Sequence, residues 1–325
     1  MPVFVRPGNT RANTEGDAVL NGNEGAAVKS AALQVRYDII DGRGNAEVDA
    51  VLNTNIEGAA MKSAAWRARY DIIEGLKRWP VWSSLAWHDI RIRYIRTMLG
   101  PLWITVSMAV FVFAMGFVFS RILNTEIHEY VPFFTAGFLV WGLISGILNE
   151  ASNTFSLAST IILSVSAPYS MHVYRAVLRQ LIIFGHNALV FIGVVMVFGV
   201  PVTPATLLFF PALALLCVVL AWMNLVVALV GVRFRDLQPI ITAVLQLLFF
   251  VTPLMWDRGL LADKAHPLWV DANPFYHLVD IVRAPLLGKV PSLITVASVL
   301  VIAVAGWYLA YILYVRFRRR VPYWL

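Results

Sequence analysis

The sequence predicts an all-α integral membrane protein with six transmembrane helices, an amphipathic interface helix on the membrane surface before them, and two short re-entrant helices between spans five and six. Hydrophobic residues make up 59% of the 325 residues and charged residues only 14%, whereas soluble domains carry about 25% charge. A basic, aromatic-rich segment leads into the first apolar stretch, which is long enough to cross the roughly 30 Å hydrocarbon layer.

Residues 1–76 are predicted to form a cytoplasmic extension with a tandem repeat of about 32 residues. Asp17-Ala-Val-Leu-Asn21 recurs as Asp49-Ala-Val-Leu-Asn53, and Arg36-Tyr-Asp-Ile-Ile-Asp-Gly42 recurs as Arg69-Tyr-Asp-Ile-Ile-Glu-Gly75. Two copies are too few for a self-stable solenoid. Two interpretations stay open, a loosely ordered extension and a docking arm for a partner or the membrane surface. The remaining residues, 77–325, form the transmembrane domain.

The surface helix is predicted from the segment Asp89 to Trp103. Helical spacing places Asp89, Arg93 and Arg96 on one stripe beside apolar rows, a pattern typical of a helix at the level of the lipid head groups. Gly100-Pro101 then breaks or bends the helix, because proline disfavours a helical conformation at the residue before it. The chain is therefore expected to turn there and enter the membrane.

Six apolar stretches follow, separated by polar turns, and we predict a span for each. They are residues 102–123, 132–148, 181–200, 207–230, 240–255 and 294–315. Between the last two, residues 256–291 mix acidic, basic and aromatic side chains. Two short amphipathic helices that break at Asn273-Pro274 fit this pattern. They are too short and too charged to cross the bilayer, so we expect them at its surface or as a re-entrant pair shielded by protein.

The basic residues near the span ends predict the orientation. With the N-terminus inside, eleven arginines face the cytoplasm and five basic residues face outside, which favours both termini in the cytoplasm by the positive-inside rule. The formal charge of +7 is placed beside apolar spans, where it faces anionic lipid. We therefore expect membrane lipid as a partner and no nucleic acid.

Several kinds of chemistry are absent from the sequence. It contains no Gly-x-x-x-x-Gly-Lys-[Ser/Thr] phosphate loop, no His-Glu-x-x-His motif and one cysteine, Cys217, so we expect no metal site, no catalytic residue and no bound nucleotide. The predicted spans carry no Asp or Glu, which argues against an ion-coupled carrier. For His186 and Asn224, inside spans three and four, we favour interhelical hydrogen bonds over contact with a substrate.

Five motifs resemble the permease subunits of type-2 ABC exporters of polysaccharides, the O-antigen, capsule and teichoic-acid exporters. They are Arg96-Thr-Met-Leu-Gly-Pro-Leu-Trp103, Arg233-Phe-Arg-Asp236, Val251-Thr-Pro-Leu-Met-Trp256, Asn273-Pro-Phe-Tyr276 and Arg-Val-Pro-Tyr-Trp at 320–324. The resemblance covers about Trp79 to Leu325 and leaves out the repeat. It implies a homodimer in a bacterial inner membrane, with two copies of a separate ABC ATPase subunit that bind the ATP and Mg.

The resemblance also implies roles for particular segments. Residues 82–99 would be the interface helix, 164–174 the coupling helix that contacts the ATPase, and the helices around Asn273 the extracytoplasmic gate. The corresponding coupling residues are Ser164, Ser166, Pro168, Tyr169 and His172, and the gate residues are Asp257, Asn273, Pro274, Phe275 and Tyr276.

Our functional hypothesis is export of an undecaprenyl-type lipid-linked glycan. Its diphosphate head would enter at the interface helix, drawn by Arg91, Arg93 and Arg96 beside Trp87 and Tyr94, and the sugar chain would follow a channel at the dimer seam. The predicted channel aromatics are Phe134, Trp141, Phe250 and Trp256. An ABC permease for lipids or small lipophilic drugs is the alternative, and a membrane-embedded glycosyl or acyl transferase is the alternative from another class. The arginines could also serve topology and lipid contact alone.

Overall fold

Every regular element in the described part of the chain is a helix. The computed structural model describes residues 63–94, 100, 102–234, 236–256 and 268–325. The chain divides into two units, Met1–Trp66 and Arg67–Leu325, and the contacts below belong to the second. Most of the predicted repeat lies outside the described residues, so the predicted domain boundary at 76–77 stays a prediction.

The helices are numbered in chain order. They are α1 (63–77), α2 (Trp79–Tyr94), α3 (Leu102–Ile122), α4 (Ile127–Ala151), α5 (Ser159–Ser164), α6 (Ser170–Phe198), α7 (Phe209–Gly231), α8 (Leu237–Val251), α9 (Leu268–Asp271), α10 (Pro274–Leu286), α11 (Leu293–Phe317) and α12 (Val321–Trp324). Short 3₁₀ turns precede α7, at Pro204–Leu208, and follow α11, at Arg318–Arg320.

Five segments are long and apolar enough to cross a membrane, namely α3, α4, α6, α7 with its preceding 3₁₀ turn, and α11 with the C-terminal turns. The protein is therefore a multi-pass membrane protein. The stretch predicted as span five is α8, which has 15 residues. At 1.5 Å per residue it covers about 22 Å, less than the roughly 30 Å of hydrocarbon, so the count of six spans stays a prediction.

Helix α4 is the centre of the bundle. It packs against α3, α6, α7, α8 and α10, and its side chains Phe134, Ile144 and Ile147 are fully buried. The faces of α3 and α11 that point away from α4 and α7 carry exposed apolar side chains, as expected for surfaces that contact lipid. The buried helix α4 is thus surrounded by helices whose outer faces contact the membrane.

Local sequence explains where the helices begin and end. Asn273 accepts hydrogen bonds from the backbone N–H groups of Phe275 and Tyr276, and Pro274 occupies the first turn of α10, where its missing N–H costs nothing. Helix α6 ends at Gly199, which adopts the left-handed conformation with φ 64° that favours glycine.

The two polar residues predicted to make interhelical bonds behave differently. Asn224 on α7 accepts a hydrogen bond from Thr154 Oγ1 at 3.2 Å, and Thr154 lies in the turn that follows α4, so this bond joins a helix to a turn and not two helices. The Nδ1 atom of His186 lies 2.8 Å from the carbonyl of Ile182 on its own helix, so the prediction was wrong for its ring. A partly buried polar ring in an apolar helix can use the nearby carbonyl one turn earlier.

Gly231 gives a first prediction, because a Cβ there would lie 2.3 Å from the carbonyl oxygen of Ser152 and 2.6 Å from its Cα. Both are main-chain atoms, so α7 would have to move. We expect Gly231→Ala to destabilise the protein by about 2 kcal/mol, measured as a lower apparent melting temperature in detergent. Gly193→Ala on α6 is the control, since nothing lies within 4 Å of its Cβ position. Equal melting temperatures for the two variants would contradict this packing.

Candidate functional site

One end of the helix bundle gathers most of the buried charge. The N-terminus of α6 and the C-terminal ends of α4, α7 and α11 lie there, together with α1 and α2. We call it the basic end, because Arg93, Arg175, Arg179 and Arg318 lie in it. Two ionic clusters join these helices.

The first cluster is centred on Asp71 of α1, whose side chain is 1% exposed. Its carboxylate accepts hydrogen bonds from the backbone N–H groups of Tyr169 and Ser170, at 3.1 and 3.0 Å, where α6 begins. It also accepts from the Tyr314 hydroxyl at 2.7 Å and from Arg318 at 2.7 and 3.0 Å. A negative charge at a helix N-terminus satisfies unpaired N–H groups and the helix dipole. Asp71 therefore caps α6 and ties it to the end of α11.

Glycine makes the close approach in this cluster possible. A Cβ on Gly75 would lie 2.1 Å from Ser170 Oγ, and that hydroxyl donates to the backbone carbonyl of Asp71 at 2.7 Å. The Tyr174 hydroxyl donates to the next carbonyl, that of Ile72, at 3.1 Å. The last two turns of α1 are thus fixed against the first two turns of α6.

The second cluster joins α2 to α4 and α6 through Asp89, Arg175, Arg179, Glu150 and Arg93. Arg175 and Arg179 both donate to Asp89, with Arg179 at 2.7 Å. Glu150 accepts from Arg179 at 2.7 Å and from Arg93 at 2.9 Å. Each carboxylate therefore has two guanidinium partners, which for Asp89 both come from α6 and for Glu150 come from α6 and α2.

The pKa of Asp89 reflects this arrangement. Partial burial raises the pKa of its carboxyl group, but the hydrogen bonds and charges of Arg175 and then Arg179 outweigh burial and hold the pKa below its ordinary value. Because the folded pKa is lowered, the cluster contributes stability at all pH values above the unfolded carboxyl pKa of about 4. That contribution is lost as the pH falls through the lowered folded pKa.

The opposite end of the bundle has its own buried charge, at Arg283 of α10, which is 4% exposed. It donates to the carbonyl of Pro253 at 2.7 Å and to Asp280 at 3.1 Å, and it lies 4.4 Å from the Phe133 ring centre. Asn273 also donates to Thr252 at 3.2 Å. These contacts hold α10 against the segment that follows α8.

The family comparison settles the class of the chain. The model of ABC-2 type transporters matches residues 81–287. The chain belongs to the ABC-2 type transporter family. It is similar to an O-antigen export system permease protein of Klebsiella pneumoniae, with 22% identity over 177 residues, which cover 54% of this chain and 68% of that protein. It is also similar to a protein of the same name from Myxococcus xanthus, with 24% identity over 203 residues, 62% of this chain and 78% of that protein. These findings confirm the resemblance to type-2 ABC exporter permeases.

In this ABC-2 permease the predicted interface residues lie on α2 in different surroundings. Trp87 is 56% exposed and Arg91 is exposed, whereas Arg93 is paired with Glu150 and Tyr94 is partly buried. Arg96 lies outside the described residues. The predicted role of these residues in receiving a lipid head group stays a prediction.

The predicted coupling residues surround the connection between α5 and α6. Ser164, Ser166, Tyr169 and Arg318 line a pocket of about 300 Å³, and the Arg318 guanidinium lies 5.0 Å from the Tyr169 ring centre. Helix α5 ends at Ser164 and the chain is non-helical up to Tyr169, because Pro168 disfavours a helical Ala167. The structure therefore has no separate helix over 164–174. His172 is 2% exposed and its ring nitrogens have no hydrogen-bond partner within the described ranges.

The predicted channel aromatics are distributed between the interior and the surface. Phe134 is fully buried in a stack with Tyr130 and Phe138. Trp141 is 5% exposed and contacts the rings of Phe249 and Phe275. Phe250 is 67% exposed, and Trp256 is partly buried.

The predicted gate residues lie at the start of α10. Asn273 and Pro274 begin the helix, Phe275 packs on Trp141, and Tyr276 is 8% exposed. Asp257 lies outside the described residues. That α9 and α10 form a gate stays a prediction.

The sequence analysis missed Asp71, Glu150, Tyr314 and Arg318 as members of a site. A signal existed for two of them. Asp71 stands in the repeated Arg-Tyr-Asp-Ile-Ile pattern, and Glu150 is a carboxylate at the end of an apolar stretch, where a charge usually has a partner. Arg175 and Arg179 were used only as indicators of topology.

A second prediction compares Arg93 with Arg91. The comparison distinguishes two roles for the arginines of α2, attraction of anionic head groups and stabilisation of the fold. If these residues only attract anionic head groups, Arg93→Gln and Arg91→Gln will reduce transport alike. The pairing of Arg93 with Glu150 predicts a difference. We expect Arg93→Gln to cost about 1 kcal/mol of stability, since the side chain is 44% exposed, and Arg91→Gln to leave the melting temperature unchanged. Equal melting temperatures in detergent would exclude a structural role for Arg93.

Proposed function

We propose that the chain is the transmembrane subunit of an ATP-driven exporter that moves a lipid-linked polysaccharide of O-antigen type from the cytoplasm across the bacterial inner membrane. The observation that carries the proposal is the family match over residues 81–287, together with relatives named as O-antigen export permeases. The family implies a partner ABC ATPase. The sequence has no phosphate-binding loop of its own, so in this proposal ATP and Mg²⁺ belong to that partner.

In the proposed assembly two copies of the chain form a homodimer, with two ATPase subunits against the basic end. This end then faces the cytoplasm with both termini, and α8 completes six spans per subunit. The pocket that contains Ser164, Ser166 and Tyr169 receives the ATPase. Support comes from the Asp71 cluster, since Asp71 joins the start of α6 to the end of α11. A movement of this segment would therefore be transmitted directly to two spans, α6 and α11.

The cargo in this proposal is an undecaprenyl-type lipid-linked glycan. Its diphosphate head is received at α2 by Arg91 and Arg96, with Trp87 and Tyr94 beside them. Arg93 is bound to Glu150, so its contribution to the positive potential is partly neutralised. The sugar chain follows aromatic side chains at the dimer seam and leaves between α9 and α10, the proposed gate. Aromatic rings suit this task because they contact the apolar faces of sugars.

The test uses the organism that encodes the chain. A deletion strain should lose its surface polysaccharide and accumulate the lipid-linked glycan inside, and the tagged permease should co-purify an ATPase whose hydrolysis depends on it. Unchanged surface polysaccharide would overturn the glycan assignment. If the same strain instead loses export of lipids or lipophilic drugs, the chain is an ABC-2 permease for those compounds. Absence of an ATPase from the purified complex would overturn ATP-driven transport.

A further inference from the structure

An apolar pocket of about 450 Å³ lies between five helices at the basic end. Helices α1 and α2 contribute Ile72, Leu76 and Trp82, helix α6 contributes Val177 and Leu181, and Cys217 of α7 and Trp307 of α11 close the deep side. Neither ionic cluster opens into it. This pocket takes no part in the transport proposed above.

The position of the pocket matches one leaflet of a bilayer. Trp307 lies ten residues before the end of α11 at Phe317, which corresponds to about 15 Å along the helix. Half of the hydrocarbon thickness is also about 15 Å. Under the proposed function, in which the basic end lies at the cytoplasmic head groups, the pocket runs from α1 and α2 at that level to the middle of the bilayer. Its outer side carries exposed apolar residues such as Val218, which is 46% exposed, so hydrocarbon can reach it from the membrane.

The shallow end of the pocket offers polar groups that suit a phospholipid. The indole nitrogen of Trp82 is buried and has no hydrogen-bond partner within the described ranges. An unpaired buried N–H is costly, and the ester carbonyl of a lipid would accept from it. Lys77 follows Leu76 directly and is exposed, and Arg78, which donates to Glu74 at 3.4 Å, comes next, so Lys77 in particular places positive charge where a lipid phosphate would lie. The Tyr174 hydroxyl and the Trp307 N–H of the lining are occupied, since Tyr174 donates to Ile72 and Trp307 donates to Val218.

We propose that this pocket is a binding site for one acyl chain of a phospholipid from the leaflet at the basic end. The chain fills the space between α6, α7 and α11, the Trp82 N–H donates to the ester carbonyl, and the phosphate lies beside Lys77 and Arg78. The lipid then holds α1 and α2 against the spans. Because it bridges the same helices as the Asp71 cluster, its loss would loosen the contact between α1 and α6.

Native mass spectrometry of the protein purified in mild detergent tests the site. The wild type should retain one phospholipid per chain after detergent exchange. Val218→Trp, which fills the pocket and leaves the carbonyl that Trp307 uses, should abolish the lipid adduct. Val304→Trp on α11, 73% exposed and outside the lining, is the matched control and should retain it. Trp82→Phe should lower lipid retention about fivefold, the effect of one hydrogen bond.

The single cysteine gives a second test that needs no variant. Cys217 lines the pocket and is the chain's one cysteine, so alkylation by N-ethylmaleimide reports this place alone. Adding phospholipid to delipidated protein should slow the alkylation several-fold. An unchanged rate, or equal lipid adducts in Val218→Trp and Val304→Trp, would overturn the proposal. A bound isoprenoid lipid or a second copy of the chain in place of phospholipid would overturn it as well.

Discussion

Replacing Asp71 with Asn is expected to lower the free energy of unfolding by about 3 kcal/mol, because the change removes the countercharge of a buried ion pair and leaves Arg318 without it. Removing one partner of a buried ion pair costs about 3–5 kcal/mol, and the lower value applies because Arg318 is 25% exposed. The amide can still accept at the start of α6, but it carries no charge for the helix dipole or for Arg318. The measurement is the apparent melting temperature of the purified permease in detergent. Under the proposed function, export also falls several-fold with normal protein levels.

The chain offers a matched control for this variant. Asp38 has the same place in the first copy of the repeat, within Arg36-Tyr-Asp-Ile-Ile, so Asp38→Asn makes the same chemical change in the same local sequence. We expect it to lower the melting temperature less than Asp71→Asn does, because the bonds from Tyr314 and Arg318 are made to Asp71. A second check is Asp71→Asn combined with Arg318→Met, which removes the orphaned charge and should recover part of the loss. Equal effects of Asp38→Asn and Asp71→Asn, or no effect of either, would contradict the assigned role of Asp71.

The approximate positions of the five long apolar helices could be predicted because length and hydropathy decide them, whereas the predicted count of six spans stays a prediction. The ends of those helices could not be predicted. Helix α6 begins at Ser170, whereas the apolar pattern predicts a span that starts at residue 181. The difference arises because Arg175 and Arg179 interrupt the apolar pattern. In the fold both arginines are neutralised by Asp89, which is 86 and 90 residues away in the chain. A sequence pattern cannot register a charge whose partner lies so far away.

The same limit applies to the candidate site. Through the resemblance that they carry, the family motifs implied roles for α2, for the connection between α5 and α6, and for the start of α10, and those roles stay predictions. They did not locate Asp71, because its partners Tyr314 and Arg318 are 243 and 247 residues away and Asp71 precedes the region that the family model matches. In a sequence, a polar residue on the exposed surface of a helix cannot be distinguished from one that makes buried contacts. Only the packing of α1 against α6 distinguishes them.

Replacing Arg179 with Gln is expected to have the second large effect. Arg179 is 11% exposed and donates to both carboxylates of its cluster, Asp89 and Glu150. Its loss leaves each carboxylate with one guanidinium partner, Arg175 or Arg93, and removes the ion pair that joins α6 directly to α4. We expect a destabilisation of about 2–3 kcal/mol, measured as apparent melting temperature. Arg179→Lys should be intermediate, because an ammonium group keeps the charge but cannot make the paired contacts of a guanidinium.

The consequence for transport depends on what the cluster does. If it only stabilises the fold, Arg179→Lys and Arg179→Gln will lower export in proportion to the amount of folded protein. If it transmits movement from the segment beside α6 to α2, Arg179→Gln will raise the amount of ATP hydrolysed per glycan exported, because hydrolysis continues while the link from α6 to α2 through Arg179 is lost. Adding Glu150→Gln to Arg179→Gln distinguishes the structural role from the role in transmitting movement. It removes a carboxylate that has lost a partner, so it should restore part of the stability without restoring the link. We expect the double variant to recover melting temperature and to stay uncoupled. Recovery of both would identify the cluster as structural only.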